Sequence, residues 1–570
     1  MKRLFEEHTV RRVQSLDGAW GFLKDPDDCG IAKGWCRGLE STETVAVPSV
    51  WNTKQGELCY EGVAWYEKKF YSAGGTLRFV FGAVMTEATV YLDGKELCRH
   101  YGGFSEFSKI VENVSEGYHI LILRVDNRFD EQSIPQARVD WYHYGGIVRG
   151  VSVETLSGVS ILSERLEYKL SEELSSVEGR LIAKLYNAAD VPLTSTVKAF
   201  LNNTPIGELS VTLAARQTCE VILPDFQMEG VRLWKIGKPT LYELSMQTET
   251  DDLFDRVGFR RIEVFNKAIY LNGEQIELRG VNRHEEHPDW GFAFPLGLMQ
   301  RDLDLIEEMG CNAVRGSHYP NSKEFLDLLD ERGLLFWSEI PIWGWGFSEQ
   351  ALGDPVVVAR GLEMHREMVE QYYNHPSIVL WGMHNEIRLS TQAAYRMSEL
   401  YYGYLKEHGG NRLVTYACDK PWEDICFDFC DVISINQYYG WYYGYEAGAW
   451  EEFLEKFTVH KASLGMEKKP IIMSEFGFAA LYGCHDDAGI LWSEENQAEQ
   501  LGRALELFHA HREIVGSFIW QFCDIRTCLE AGINRARGFN NKGILNEYRK
   551  PKLAYRIAKE KYTAFAKEQL

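Results

Sequence analysis

Two segments in the second half of the chain read as apolar strands that end on a glutamate: Ser377-Ile-Val-Leu-Trp-Gly-Met-His-Asn-Glu386 and Pro470-Ile-Ile-Met-Ser-Glu475-Phe-Gly477. Burying an unpaired carboxylate beside apolar side chains costs several kcal/mol, so a glutamate at such a point is not structural filler. Parallel strands that open onto one cleft can present two such groups face to face. Carboxyl pairs whose pKa values are driven apart are the machinery of glycosidic-bond hydrolysis. One, as the acid, protonates the leaving oxygen; the other, ionised, acts on the anomeric carbon or on water.

The elements that must hold such a pair are legible. After about Phe265, strands alternate with amphipathic helices, the pattern of parallel βα units. The strands predicted are 276–281, 313–316, 335–339, 378–381, 413–416, 432–435, 471–474 and 517–521, and the helices between them include 298–309, 321–332, 358–373 and 494–510. Roughly 300 residues of this kind make a (β/α)8 TIM barrel. Glu386 then follows strand four and Glu475 strand seven, at the C-terminal ends where barrel active sites are built.

Upstream, short alternating strands such as Leu77-Arg-Phe-Val-Phe81 and Ala88-Thr-Val-Tyr-Leu92, with a turn signal at Asp93-Gly94, predict a β-sandwich of the jelly-roll kind over 1–157. A second alternating block, 158–263, has the size of an immunoglobulin-like β-sandwich. The barrel takes 264–570. The expected architecture is thus a multidomain chain of two sandwiches and a barrel.

At 570 residues the chain is too long for one core, and 45% hydrophobic with 25% charged residues is ordinary for a globular protein. A net charge of −22 argues against a nucleic-acid partner. It leaves room for a small anionic substrate held at a local positive site. Met1-Lys-Arg-Leu-Phe-Glu-Glu-His-Thr-Val10 lacks the apolar core of a signal peptide, and no stretch is long and apolar enough for a membrane span. The expectation is a cytoplasmic chain with no membrane association. The twelve cysteines lack zinc-type spacing and read as free, buried thiols.

These motifs together resemble glycoside hydrolase family 2, over the whole architecture. Asn385-Glu386 is similar to that family's acid/base motif and Ser474-Glu475-Phe-Gly477 to its nucleophile motif; Gly280-Val-Asn-Arg-His284-Glu285 and Arg315-Gly-Ser-His318-Tyr-Pro320 fit in order. The resemblance implies a retaining mechanism, with Glu475 as nucleophile, Glu386 as acid/base and the two carboxyls about 5–5.5 Å apart. By the same resemblance Asn385 meets the sugar 2-hydroxyl, His284 and His318 contact the sugar, Trp520 on strand eight forms a wall, and Asp140 reaches the 4-hydroxyl from the first sandwich. Asn540-Asn-Lys542 resembles the β-glucuronidase subgroup, in which Asn-x-Lys binds the sugar's C6 carboxylate. An ammonium and an amide there select an anion over a neutral hexose. Asn436, Tyr438 and Tyr442 resemble that subgroup's substrate loop, and either Arg535 or Arg537 takes the place of its arginine.

Some features depart from the pattern. Glu386 is followed by Ile387-Arg388, with no proline, and Arg388 is either a second contact to an anion or a solvated charge. The stretch 343–355 is short, which leaves an open entrance suited to bulky or oligosaccharide leaving groups. Glu339 reads as a partner of other site groups, and no metal or other cofactor is called for. The expected function is hydrolysis of terminal β-D-glucuronides carried on small molecules or oligosaccharides. The alternatives are a β-galacturonidase or dual-specificity enzyme, then a β-galactosidase, then a non-catalytic carbohydrate-binding protein. Analogy with the family implies a homo-oligomer.

Overall fold

The computed structural model describes residues 3–446, 448–528 and 535–568, with the side chain of residue 345 also left aside. The first unit is built on a nine-stranded sheet whose two longest strands, Val63–Met85 and Phe107–Asp126, pair antiparallel. Alternate residues point inward, as the period of a strand requires: Leu77, Phe79 and Phe81 on one strand meet Leu121, Leu123 and Val125 on another in one buried cluster. Asp93 and Gly94, at φ +48° and +83°, close the predicted hairpin between Glu87–Leu92 and Lys95–Tyr101. Next come two four-stranded sheets, spanning Val159–Leu170 to Asp252–Val257, that face each other across their own apolar core.

The barrel is a closed ring of eight parallel strands. They are β1 (Leu278–Asn282), β2 (Ala313–Gly316), β3 (Leu335–Glu339), β4 (Ile378–Asn385), β5 (Leu413–Cys418), β6 (Ile433–Asn436), β7 (Ile471–Phe476) and β8 (Ile514–Ile519). The surrounding helices are α1 (Leu296–Glu308), α2 (Lys323–Arg332), α3 (Pro355–Tyr372), α4 (Gln392–His408), α5 (Ala449–Ser463), α6 (Glu494–Ala510) and α7 (Leu553–Glu568). Side-chain caps start several of them: Ser322, Asp354, Thr391 and Ser493 accept from backbone N–H groups of the first turn. Between β5 and β6 the connection makes only a 3-10 turn, Phe427–Phe429.

Strand ends differ from expectation where the site lies. β4 runs on to Asn385, and β7 extends through Glu475, so this glutamate lies within the strand and does not follow it. β8 begins earlier and ends at Ile519, which puts Trp520 past the strand. There the chain leaves the ladder, and Gln521 N–H donates to the Lys542 carbonyl instead (3.1 Å).

The first unit also reaches into the barrel mouth. Trp141, buried, packs against His284, His318 and Trp343 at ring separations of 5.8, 5.4 and 5.7 Å. Arg149 Nη2 donates to Glu285 at 3.0 Å, and Tyr144 Oη to Glu286 at 2.6 Å. All twelve cysteines are free; Cys311, Cys418, Cys426, Cys430, Cys523 and Cys528 are buried, while Cys59 is exposed. Among the described residues no helix is long and apolar enough to cross a membrane.

Under the mouth, Asp302 of α1 is fully buried between two guanidiniums. It accepts from Arg283 Nε at 2.9 Å and from Arg549 Nε at 3.0 Å, tying the segments after β1 and β8 to α1. Asp302→Ala leaves both cations buried without their acceptor. The expected loss is about 3–5 kcal/mol, read as a lowered thermal midpoint for the barrel; an unchanged midpoint contradicts this role.

Candidate active site

Glu386 and Glu475 stand at the C-terminal ends of β4 and β7, and both are buried. Glu386 has φ +51°, a left-handed backbone that costs an L-residue roughly 1–2 kcal/mol and aims its carboxyl into the mouth. Its Oε1 accepts from Asn436 Nδ2 at 2.7 Å. Glu475 Oε1 accepts from Arg315 Nη1 and its Oε2 from Tyr438 Oη, each at 2.8 Å.

A chain of amides joins the two. Arg315 Nη2 donates to Asn385 Oδ1 at 2.8 Å, and Asn436 Nδ2 donates to the same oxygen at 3.2 Å. Ser474 Oγ holds Asn436 Oδ1 at 2.7 Å. With its oxygen so occupied, Asn385 turns a buried Nδ2 toward the cavity with no protein partner. A buried amide donor without an acceptor is costly unless a ligand supplies one.

The electrostatics separate the two carboxyls. Burial pushes Glu475 up to about 7, against the pull of Arg315 and the Tyr438 hydrogen bond. Burial raises Glu386 as well, and the nearby Glu475 and Asp419 carboxylates add to the rise, while the Arg315 cation bonds Glu475 and not Glu386. As the pH rises Glu475 therefore ionises first and Glu386 keeps its proton. Tyr438 stays a donor, its phenol raised by burial and by Glu475.

Around this pair lie aromatic walls and neutral histidines. His318 Nδ1 donates to Glu339 Oε1 at 2.7 Å, and its ring stacks on Trp520 at 5.1 Å. His284 Nδ1 meets Tyr319 Oη at 3.1 Å, and its ring edge meets Trp520 at 5.5 Å. Burial holds both imidazoles well below their usual range, with Arg315 contributing. Their Nε2 atoms are buried and make no hydrogen bond within the protein, which leaves them open to sugar hydroxyls; His318 Nε2 lies 3.8 Å from Glu475 Oε1.

A cationic cluster forms the third part. Lys542 Nζ donates to Tyr442 Oη at 2.6 Å, and Arg535 Nη1 and Nη2 donate to the same oxygen at 3.2 and 3.3 Å. Burial lowers the Lys542 ammonium, which lies 4.6 Å from the Tyr442 ring centre and 5.6 Å from that of Trp441. Burial pushes the Tyr442 phenol up, but Lys542 and Arg535 together bring it below the ordinary value. Of the two candidate arginines, Arg535 joins the cluster; Arg537 pairs with Glu547 at 2.9 Å.

Asp140, reaching in from the first unit, binds Arg535 Nη2 at 2.5 Å and accepts from Asn540 Nδ2 at 2.8 Å. Asn540 Oδ1 in turn caps the backbone N–H of Lys542 at 3.2 Å. Asp140 and Asn540 thus hold each other, a partnership absent from the sequence expectation, which set Asp140 against the 4-hydroxyl and paired Asn540 with Lys542 on the C6 carboxylate. Sequence reasoning passed over Arg315, although its segment was singled out; a cation ending the apolar strand Ala313-Val314 was the available signal. It also passed over Trp343 and Trp441.

A carboxyl pair with split affinities, buried polar groups without hydrogen-bond partners and an apolar wall, all at the C-terminal end of a barrel, define a glycoside hydrolase. The profile of the glycosyl hydrolases family 2 TIM barrel domain matches residues 262–567. The chain belongs to glycoside hydrolase family 2. A family 2 β-galacturonidase from Eisenbergiella tayi, solved with galacturonate, is 32% identical with a TM-score of 0.92, covering 99% of both chains. A β-glucuronidase from Ruminococcus gnavus, solved with D-glucuronic acid, is 26% identical with a TM-score of 0.86, again over 99% of both. The β-glucuronidase of Paenibacillus borealis is 27% identical over 98% of each chain.

Glu475→Gln removes the negative neighbour of Glu386, so the Glu386 pKa falls in the variant. A carboxyl-selective infrared titration of the folded protein reads this; an unchanged or raised value contradicts the coupling.

Proposed function

We propose that the enzyme is a retaining β-uronidase that releases terminal β-D-galacturonides in preference to β-D-glucuronides. The observation that carries the uronide reading is the convergence of Lys542, Arg535 and Tyr442 on one side of the sugar pocket. A carboxylate entering there trades water for two cations and a phenol, an exchange that a hexose hydroxymethyl group does not match. This replaces the sequence expectation, which put the glucuronide first and the galacturonide among its alternatives. The greater likeness to the galacturonidase supports the change, as does the state of Asp140. The 4-hydroxyl is the one centre in which the epimers differ. A carboxylate clamped by Arg535 and Asn540 offers that hydroxyl guanidinium and amide donors as well as an acceptor.

In this reading Glu475 attacks the anomeric carbon as the bond to the leaving oxygen breaks, and Glu386 gives that oxygen its proton. Glu386, now ionised, takes a proton from water; the water oxygen attacks the anomeric carbon and releases Glu475. Asn385 Nδ2 donates to the 2-hydroxyl, and Tyr438 and Arg315 hold the nucleophile in line.

The test is kcat/KM for one chromogenic phenol carried on β-galacturonide, β-glucuronide and β-galactoside. The galacturonide leads the glucuronide by at least about tenfold, roughly 1.4 kcal/mol in transition-state binding, and the galactoside trails both. A glucuronide lead restores the other epimer, and a galactoside lead removes the carboxylate site. Lys542→Met lowers kcat/KM on the uronides by roughly 100-fold, as loss of a charge-assisted bond predicts, and closes the gap to the galactoside. Because Glu475 must be ionised and Glu386 protonated, kcat/KM rises with pH through a value near 7 and falls again above it. A profile flat from pH 5 to 8 contradicts the assignment of roles.

A further inference from the structure

The proposed mechanism leaves Arg388, on the turn that follows Glu386, without a role. Arg388 stands two residues after Glu386, exposed, on the turn that leaves β4. Its Nε donates to the Phe347 carbonyl at 3.1 Å, which fixes the side chain against the segment after β3. Among the described residues no carboxylate pairs with its guanidinium, and its terminal nitrogens have no acceptor. It is thus held at its root and free at its tip.

The mouth is divided in two. Tyr442, Arg535, Lys542 and Asp140 occupy the side of β6 to β8, where the uronate carboxylate is read. The opposite rim is made by the segments after β3, β4 and β5. Tyr443 closes it from β6: its Oη donates to Gln437 Oε1 at 2.6 Å, and Gln437 Nε2 donates to the Asp419 carbonyl at 2.7 Å. Glu386 stands between the halves. A leaving group departs on the side of its proton donor, toward the turn after β4 that carries Arg388 two residues on from Glu386. In a chain of net charge −22 an anionic leaving group would otherwise be repelled.

We propose that Arg388 binds an anionic group on the leaving group, so that the substrate is acidic on both sides of the scissile bond. The released uronate is then attached to a unit that carries its own carboxylate or sulfate. This deepens the proposed function and rests on Glu386 as proton donor, but not on which sugar is released.

The test compares glycosides of a single sugar on phenols bearing a para carboxylate, sulfonate or carboxamide. Wild-type kcat/KM gives an anionic-to-neutral ratio, and comparison with Arg388→Gln cancels the intrinsic ease of departure. The ratio falls roughly fivefold in Arg388→Gln, the size of a favourable exposed ion pair. It falls less in Arg388→Lys, and it shrinks in the wild type as salt is added. The carboxylate and sulfonate arms report which anion is read. Arg396→Gln, an equal charge change on the exposed face of α4, leaves activity and ratio as in the wild type.

An unchanged ratio in Arg388→Gln overturns the proposal, as does an equal fall in Arg396→Gln or in Lys420→Gln on the next rim segment. If Arg388→Gln fails to fold, a wild-type ratio indifferent to salt overturns it. Because the ratio is taken within one sugar, it stands or falls separately from the uronide reading.

Discussion

One buried cation organises the site. The Arg315 guanidinium is fully enclosed and makes two bonds to Glu339, one to Glu475 and one to Asn385. Desolvating a cation costs several kcal/mol, recovered only where every donor meets an acceptor in good geometry. Each of those acceptors is thereby fixed: Glu475 toward Tyr438, Asn385 with its amide nitrogen inward, Glu339 against His318. Charge balance follows from the same pair of facts. One cation stands among Glu339, Glu475 and Glu386, so a third negative charge is the least affordable, and Glu386 keeps its proton.

The surrounding fold serves that arrangement. Eight parallel strands deliver side chains from β1 to β8 to one end, and no single strand carries more than part of the site. The first sandwich supplies what the barrel lacks. Trp141 closes the floor against His284, His318 and Trp343, and Asp140 neutralises Arg535 across the unit boundary. That ion pair makes the sandwich part of the candidate site.

The strands were legible because their apolar runs are bounded by turn residues and alternate with strongly amphipathic helices; β2 and β3 fall at the predicted residues. Glu386 and Glu475 stood out because a charge at the end of such a run contradicts its surroundings. Strand ends were less legible, since Glu475 and Trp520 lie where hydrogen bonding, not composition, decides whether the ladder continues. Partnerships were not legible at all. Nothing local to Asp140 shows that it meets Arg535 and Asn540, which lie some four hundred residues away. The choice between Arg535 and Arg537 was likewise made by Glu547, which takes Arg537.

In the proposed mechanism Glu475, steered by Arg315 and Tyr438, is the group that bonds to the sugar. A 2-deoxy-2-fluoro-β-galacturonosyl fluoride slows the second step and lets the covalent intermediate accumulate. Mass spectrometry of the digested, inactivated enzyme then locates the label. A single adduct on Glu475, formed in step with loss of activity, is the predicted result. A label on Glu386 or Glu339, or inactivation without any adduct, would contradict that role of Glu475.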